Sequence, residues 1–214
     1  MRTSVLISQF SQCYKSMNKS SNKPYILGIG GTTRSGSTSE KALRVSLGAA
    51  EALGAKVHLI AGEDLDLPMY APHLKERSEK ASFLVEQLKI CDGLIISSPS
   101  YHGSISGLIK NALDYVEDLR ESPRVYLDHL PVGLIGCGAG WQGATQALTH
   151  LRSMAHALRA WPTPMGAVLN SSTPLFNESG ECIEPLVLSQ LNLVGKQVMT
   201  FALMKTGSHL ECEV

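Results

Sequence analysis

The sequence predicts a three-layer, doubly wound α/β protein built on a five-stranded parallel sheet. Three observations carry this expectation. Short β-like runs alternate with amphipathic helical patterns from Pro24 onward. Five such strand-helix units follow one another with no repeat or internal linker between them. The chain has 214 residues, 43% of them hydrophobic, which is enough for one large domain with a packed core.

The elements are expected in this order. A strand over 25–30 runs through a hydroxyl-rich turn into a helix over 39–53, and a second strand follows over 56–60. A helix over 78–91 leads to a strand over 93–97. The next helix, over 105–119, places Ile105, Leu108, Ile109, Ala112 and Val116 on one packing stripe. After a strand over 132–136, a helix over 142–161 puts Ala144, Ala147, Leu148, Leu151, Met154, Ala155 and Leu158 on one face, with Arg152 and Arg159 facing away. Trp161-Pro162-Thr163-Pro164 ends it, because a proline biases the preceding residue away from helical geometry. The last strand is expected over 165–169 and the last helix over 185–204. Residues 1–23, without an acidic side chain, read as an extension lacking fixed structure, or as the product of a start placed before Met17. An organelle transit peptide is the alternative for that segment. The folded domain is assigned to 24–205 and a short tail to 206–214.

Composition removes several function classes. Nineteen basic and nineteen acidic side chains give a formal net charge of zero, so there is no electrostatic footprint for nucleic acid or an anionic membrane. The uninterrupted apolar runs, as at 93–96, fall far short of the ~20 residues that span a bilayer. Five scattered cysteines suggest neither a disulfide framework nor a zinc knuckle, which fits a reducing cytoplasm. The histidines lack metal-ligand spacing, and His150 and His156 point to different helix faces, so no protein-bound metal is expected.

Three loops at the carboxyl edge of the sheet carry the chemistry, since ligands of open α/β sheets bind there. The first, 30–39, combines Gly31, Thr32, Arg34, Ser37, Thr38 and Ser39 ahead of a helix N-terminus and reads as a phosphate cup. Its plain alternative is a loop with an N-cap. Ser37 stands where the lysine of a Walker loop belongs, and Thr33 where the third glycine of the dinucleotide fingerprint belongs, so neither of those motifs is satisfied. The second loop contains Pro99, Ser100, Tyr101, His102, Gly103 and Ser104, a stiff turn whose flat rings suit a planar heterocycle, the plain alternative being Tyr101 as an ordinary loop-core anchor and His102 as a surface residue. Glycines dominate the third, where Gly138, Gly140 and Gly143 flank Trp141 and let backbone amides approach an anionic ring edge.

These residues resemble the NAD(P)H-dependent FMN reductase family, a flavodoxin-like group that includes quinone, chromate and azo-dye reductases. Gly31-Thr32-Thr33-Arg34-Ser35-Gly36-Ser37 is similar to the family's G-S-x-R-x-x-S, with Thr32 keeping the hydroxyl. The segment from Pro99 to Asp114 resembles P-E-Y-N-G-S-x-x-G-x-L-K-N-A-x-D, departing from it at Ser100 for Glu and His102 for Asn. Leu65-Asp66-Leu67-Pro68-Met69-Tyr70 and the glycine loop also fit. The resemblance implies that Thr32, Arg34, Ser37 and Ser39 hold the FMN phosphate, with Gly31 and Thr38 in the same cup. It implies too that Pro99–Ser104 and Gly138–Gly143 frame the ribityl chain and the ring.

On that basis the expected activity is hydride transfer from NADPH or NADH to FMN, then two electrons to a quinone, azo compound, metal oxyanion or free flavin. The flavin carries the chemistry, and no catalytic triad, Cys-His pair or carboxylate pair is visible. Cys137 reads as a buried structural thiol, with a redox thiol beside the ring as the alternative. Two other readings stand beside this one: a one-electron carrier without a nicotinamide site, against which the neutral charge argues, and a flavin-free interaction domain. Arg77, Lys75 and Arg120 are unranked candidates for choosing between NADPH and NADH. A homodimer or homotetramer is expected by resemblance alone.

Overall fold

The computed structural model describes residues 23–206, so the expected extension and tail lie outside the described residues except for Lys23 and Thr206. Its strands are β1 (Tyr25–Gly30), β2 (Lys56–Ala61), β3 (Gly93–Tyr101), β4 (Ser104–Ile105), β5 (Pro131–Gly138) and β6 (Trp161–Asn170). The helices are α1 (Thr38–Ala52), α2 (Glu79–Ile90), α3 (Gly107–Asp114), α4 (Trp141–Ala157) and α5 (Pro185–Thr206). The main sheet runs β2-β1-β3-β5-β6 with every pair parallel, and β4 folds back antiparallel on the end of β3. From β1 the chain builds outward first to β2 and then, in the other direction, to β3, so the topological switch point lies where Gly30 pairs with Ser97.

Side-chain alternation with period two explains the layers. Leu27 and Ile29 of β1, Leu94 and Ile96 of β3, and Val132 and Leu134 of β5 enter one core with Leu84 and Leu88 of α2, Ile109 and Ala112 of α3, and Leu151 of α4. Their neighbours Ile26, Ile95, Ile135 and Cys137 enter the opposite core with Leu43 and Leu47 of α1 and Leu191, Val194 and Val198 of α5. Helix α5 has the length and composition of a bilayer-crossing helix, but Leu191, Val194, Val198 and Ala202 bury one face of it against the sheet. It is a core helix of the second layer.

The boundaries expected from sequence differ from the observed ones by a residue or two at several element ends and by four at the end of β3, which runs to Tyr101, and the assignment itself changes in two places. Helix α4 stops at Ala157, where Arg159 takes a left-handed φ of 66°, and Trp161-Pro162-Thr163-Pro164 opens strand β6 instead of merely ending a helix. Because β6 is an edge strand paired only with β5, the missing proline N–H groups forfeit no ladder bond on its open side. Arg152 of α4 donates to the Thr163 and Pro164 carbonyls at 3.3 and 3.0 Å across the register shift there. The helix expected over 105–119 is α3 followed by a 3-10 turn at Tyr115–Leu119, while Ile105 belongs to β4. Ser106 caps α3, its hydroxyl accepting the Ile109 amide at 3.3 Å.

Helices α1 and α5 cross in direct contact. The Ser46 hydroxyl donates to the Leu191 carbonyl at 2.8 Å, and a methyl group added at Gly195 would overlap the Ser46 carbonyl oxygen. Gly195→Ala is therefore expected to cost about 2–3 kcal/mol in urea denaturation, by forcing the two helices apart. Gly48→Ala, in α1 where an added methyl meets nothing within 4 Å, should instead stabilise by about 0.5–1 kcal/mol. Equal effects at the two sites would show that the crossing is not tightly packed.

Candidate functional site

The first loop is shaped by its own short-range bonds. Gly31, with a φ of 98°, turns the chain out of β1, and its amide donates to the Ser97 carbonyl at 3.3 Å, tying the loop to β3. The Thr32 hydroxyl closes a small turn by donating to the Arg34 carbonyl and accepting the Arg34 amide, both at 3.1 Å. Ser37 is the N-cap of α1 and accepts the Glu40 amide at 3.3 Å, while its carbonyl accepts the Lys41 amide at 2.9 Å. The plain capping role anticipated for this loop is thus real. The amides of Thr38 and Ser39, first in the helix, keep no acceptor among the described residues and are the donors a helix N-terminus offers to an anion.

Charge on this loop is arranged with one sign inward. Glu40 is buried, and its carboxylate is spent on the Gly36 amide at 2.9 Å and on Arg44 at 2.9 and 2.7 Å. Arg34 has no acidic partner among the described residues. The buried acid therefore holds the loop closed without opposing an anion in front of it.

The second loop is a hairpin. Ser100 pairs with Ile105 and Tyr101 with Ser104, and between them His102 (φ 51°) and Gly103 (φ 82°) form the turn. Two consecutive positive φ angles favour Asn-Gly, and histidine is among the few other residues that enter the left-handed region readily. His102 is thus accounted for by backbone geometry. The hairpin lies along α4, with the Ser104 hydroxyl and His150 Nδ1 2.9 Å apart and Gly143 facing Ser100. The third loop is tied to the end of β6, where the Ser171 amide donates to the Gly138 carbonyl at 2.7 Å.

The three loops enclose a cavity of about 340 Å³, within the range of small-molecule sites. Of the residues expected from sequence, Thr32, Arg34, Ser37, Thr38, Ser39, Pro99, Ser100, Tyr101 and Gly138 line it. Gly31 shapes the loop behind it, His102 and Gly103 form the hairpin turn, and Ser104 pairs with His150. Gly140 is the N-cap of α4, Trp141 is its first residue and Gly143 lies in its first turn, none of them in the lining. Cys137, Ala139 and Ser171 complete the wall. Ser171 was not anticipated, although Asn170-Ser171-Ser172-Thr173 is a polar run at a strand end like the other three loops.

The lining contains no carboxylate and no histidine. The first loop contributes a guanidinium, four hydroxyl side chains and free helix amides to the wall, and the second contributes the Tyr101 ring, 53% exposed. This donor set fits a phosphate joined to a planar ring. Burial pushes the Cys137 thiol up to about 12, with Ser97 opposing slightly, so it stays protonated and is no nucleophile.

A larger cavity, about 480 Å³, is bounded by Tyr70, Lys75, Arg77, Asp118 and Arg120. Here both arginines are already matched. Arg77 donates to both Asp118 oxygens at 2.7 and 2.8 Å and to the Ala71 and Leu74 carbonyls, and it lies 5.0 and 5.7 Å from the Tyr70 and Tyr115 ring centres. Arg120 pairs with Glu117 and Glu121. None of Lys75, Arg77 and Arg120 lines the 340 Å³ cavity, and the Arg77 fork serves as a structural knot.

The sequence pattern of a family described as NADPH-dependent FMN reductase matches residues 24–174. An FMN-dependent NADPH-azoreductase from Staphylococcus aureus is 34% identical over 116 residues, which is 54% of this chain and 58% of that protein, so the match spans little more than half of the relative. Among solved structures, the apo form of an NADH:FMN oxidoreductase superposes with a TM-score of 0.63 at 23% identity, covering 85% of this chain and 90% of that one. A flavoenzyme NAD(P)H:(acceptor) oxidoreductase from Paracoccus denitrificans gives 0.59 at 20%, covering 82% and 97%. Both likenesses are of fold.

Two outcomes follow from the site's electrostatics. The Arg77 hydrogen bonds hold the Asp118 carboxyl below its ordinary value, so this pair stabilises the fold above the unfolded aspartate pKa of ~3.9 and loses that contribution as pH falls through the lower folded value. Asp118→Asn should cost about 1–2 kcal/mol at pH 7 in urea titrations, and the gap should narrow as pH falls below the unfolded aspartate value of ~3.9 and through the lower folded one. In native alkylation at pH 8 mapped by mass spectrometry, Cys182 should react while buried Cys91 and Cys137 stay protected until denaturation. Reaction of Cys137 at the rate of Cys182 would contradict the burial assigned to it.

Proposed function

The chain belongs to the NADPH-dependent FMN reductase family, and we propose that it binds FMN in the 340 Å³ cavity and works as an NAD(P)H-dependent oxidoreductase. The observation that carries this reading is the composition of the cavity wall: an unpaired Arg34 and free helix amides from the first loop, the Tyr101 ring from the second, and no carboxylate among the lining residues. When bound, FMN supplies the redox chemistry, with hydride entering from NADPH or NADH and two electrons leaving to an acceptor.

The chain's own residues then bind and orient. Arg34, Thr38 and Ser39 hold the phosphate by charge and hydrogen bonds, and Thr32 and Ser37 fix the loop that presents them. Pro99, Ser100 and Tyr101 support the ring from β3, and Gly138 and Ala139 bring backbone close to its polar edge. His102 and Gly103 set the hairpin turn beside Tyr101. With no carboxylate or histidine in the lining, the protein's contribution is orientation and an electropositive cradle in place of acid-base transfer.

The similarity to a Staphylococcus aureus azoreductase supports azo compounds as acceptors, and quinones, metal oxyanions and free flavin belong to the same proposal. A cytoplasmic setting accords with the free thiols of Cys91, Cys137 and Cys182. We propose a homodimer or homotetramer as its working form.

Purified protein reconstituted with FMN should be yellow and should bleach on anaerobic addition of NADPH. Colour that NADPH leaves unchanged would assign a carrier without a nicotinamide site. Arg34→Ala should weaken FMN binding by about tenfold or more, the worth of one charge-assisted hydrogen bond to phosphate, with the melting temperature unaltered.

A further inference from the structure

The FMN-shaped cavity does not end at its phosphate cup. A second cavity of about 280 Å³ adjoins it, sharing Thr38 and Ser171 with the first. Its further wall includes Lys41, Ser172, Thr173 and Phe176. The shared Thr38 lies in the first turn of α1, and Tyr101 is absent from the second lining, so the second cavity borders the phosphate loop and not the Tyr101 hairpin.

We propose that this second cavity is an adenylate subsite, and that the protein takes the dinucleotide flavin FAD as well as FMN. The inference rests on the reading of the first cavity as a flavin site. A phosphomonoester stops at the cup. A pyrophosphate continues past it, and the chain meets that continuation with a second cation.

Lys41 is half-buried and has no acidic partner among the described residues. Its stem runs beside the turn at Gly180, with the Cε 3.9 Å from the position of a side-chain carbon there, while its amide is anchored to the Ser37 carbonyl. Arg34 and Lys41 thus both lie on the phosphate loop and its helix, one in the lining of each cavity. Two unpaired cations serving adjoining cavities suit two phosphates better than one.

The rest of the wall suits a nucleoside. Ser172 and Thr173 present hydroxyls, Phe176 presents an aromatic ring, and no carboxylate lines the cavity. The outer wall is also built as a fixed structure. Phe176 bridges Cys182 in antiparallel fashion, and the Asn177 side-chain oxygen accepts the Glu181 amide at 2.8 Å and the Ser179 hydroxyl at 2.7 Å.

The test is calorimetric titration of the full, flavin-stripped chain with FMN and with FAD, on the wild type and on Lys41→Met. FAD is expected to bind within about tenfold of FMN, and Lys41→Met is expected to weaken FAD at least about fivefold more than it weakens FMN. Binding of FMN with FAD more than about tenfold weaker, or an equal loss for both flavins in Lys41→Met, would overturn the subsite and leave the FMN reading standing. Failure of both flavins to bind the wild type would overturn both readings.

Discussion

The parallel pairing of β1 with β2 and β3, and of β5 with β3 and β6, gives these strands apolar side chains on both faces, so helices must cover both. Each crossover from one parallel strand to the next then leaves the sheet at the carboxyl edge and returns at the other. That constraint gathers the turns after β1, β3, β5 and β6 at one edge, and the cavity lies there because the chain has no other place to put them. Close helix packing against the sheet is the corollary. Val194 and Val198 of α5 sit over Gly133, and Val198 also over Gly93, where any side chain would displace them.

Charge placement follows from the same geometry. The N-terminus of α1 points at the end of β1, and its amides together with Arg34 make the edge electropositive although the chain is neutral overall. Glu40 lies within this positive end and is neutralised by Arg44 and the Gly36 amide, so it braces the loop. The Arg77–Asp118 pair shows the opposite use of the same chemistry. There the guanidinium's donors are consumed by a carboxylate and backbone carbonyls, and what remains is a cross-link between the 66–78 loop and the turn after α3.

Much of the fold was legible because it rests on period-two and helical patterns that act within a few residues. The first strand and the starts of β2, β3 and α5 stand where the patterns put them. The site was legible where a residue's job is local. Ser37 caps a helix, Gly31 turns the chain, and the His102-Gly103 pair takes positive φ angles, each written in neighbouring residues. Ser171 was not legible, because its place in the wall depends on β6 pairing with β5 and carrying that loop beside Gly138. Nor could spacing alone tell that Arg77 is spent and Arg34 is not, since Asp118 lies 41 residues from its partner.

The sequence by itself determined the α/β class, the order of the main-sheet strands and their helices, and the three loops that wall the cavity, because apolar periodicity and turn chemistry are short-range properties. Only the tertiary structure decided that Pro162 and Pro164 belong to a strand, since a proline is tolerated at a sheet edge and not at its centre, and edge position is a fact of assembly. It alone also decided which cations are paired, that Cys137 is sealed from solvent, and that a second cavity shares Thr38 and Ser171 with the first. These are contacts between residues far apart in the chain, and no local pattern encodes them.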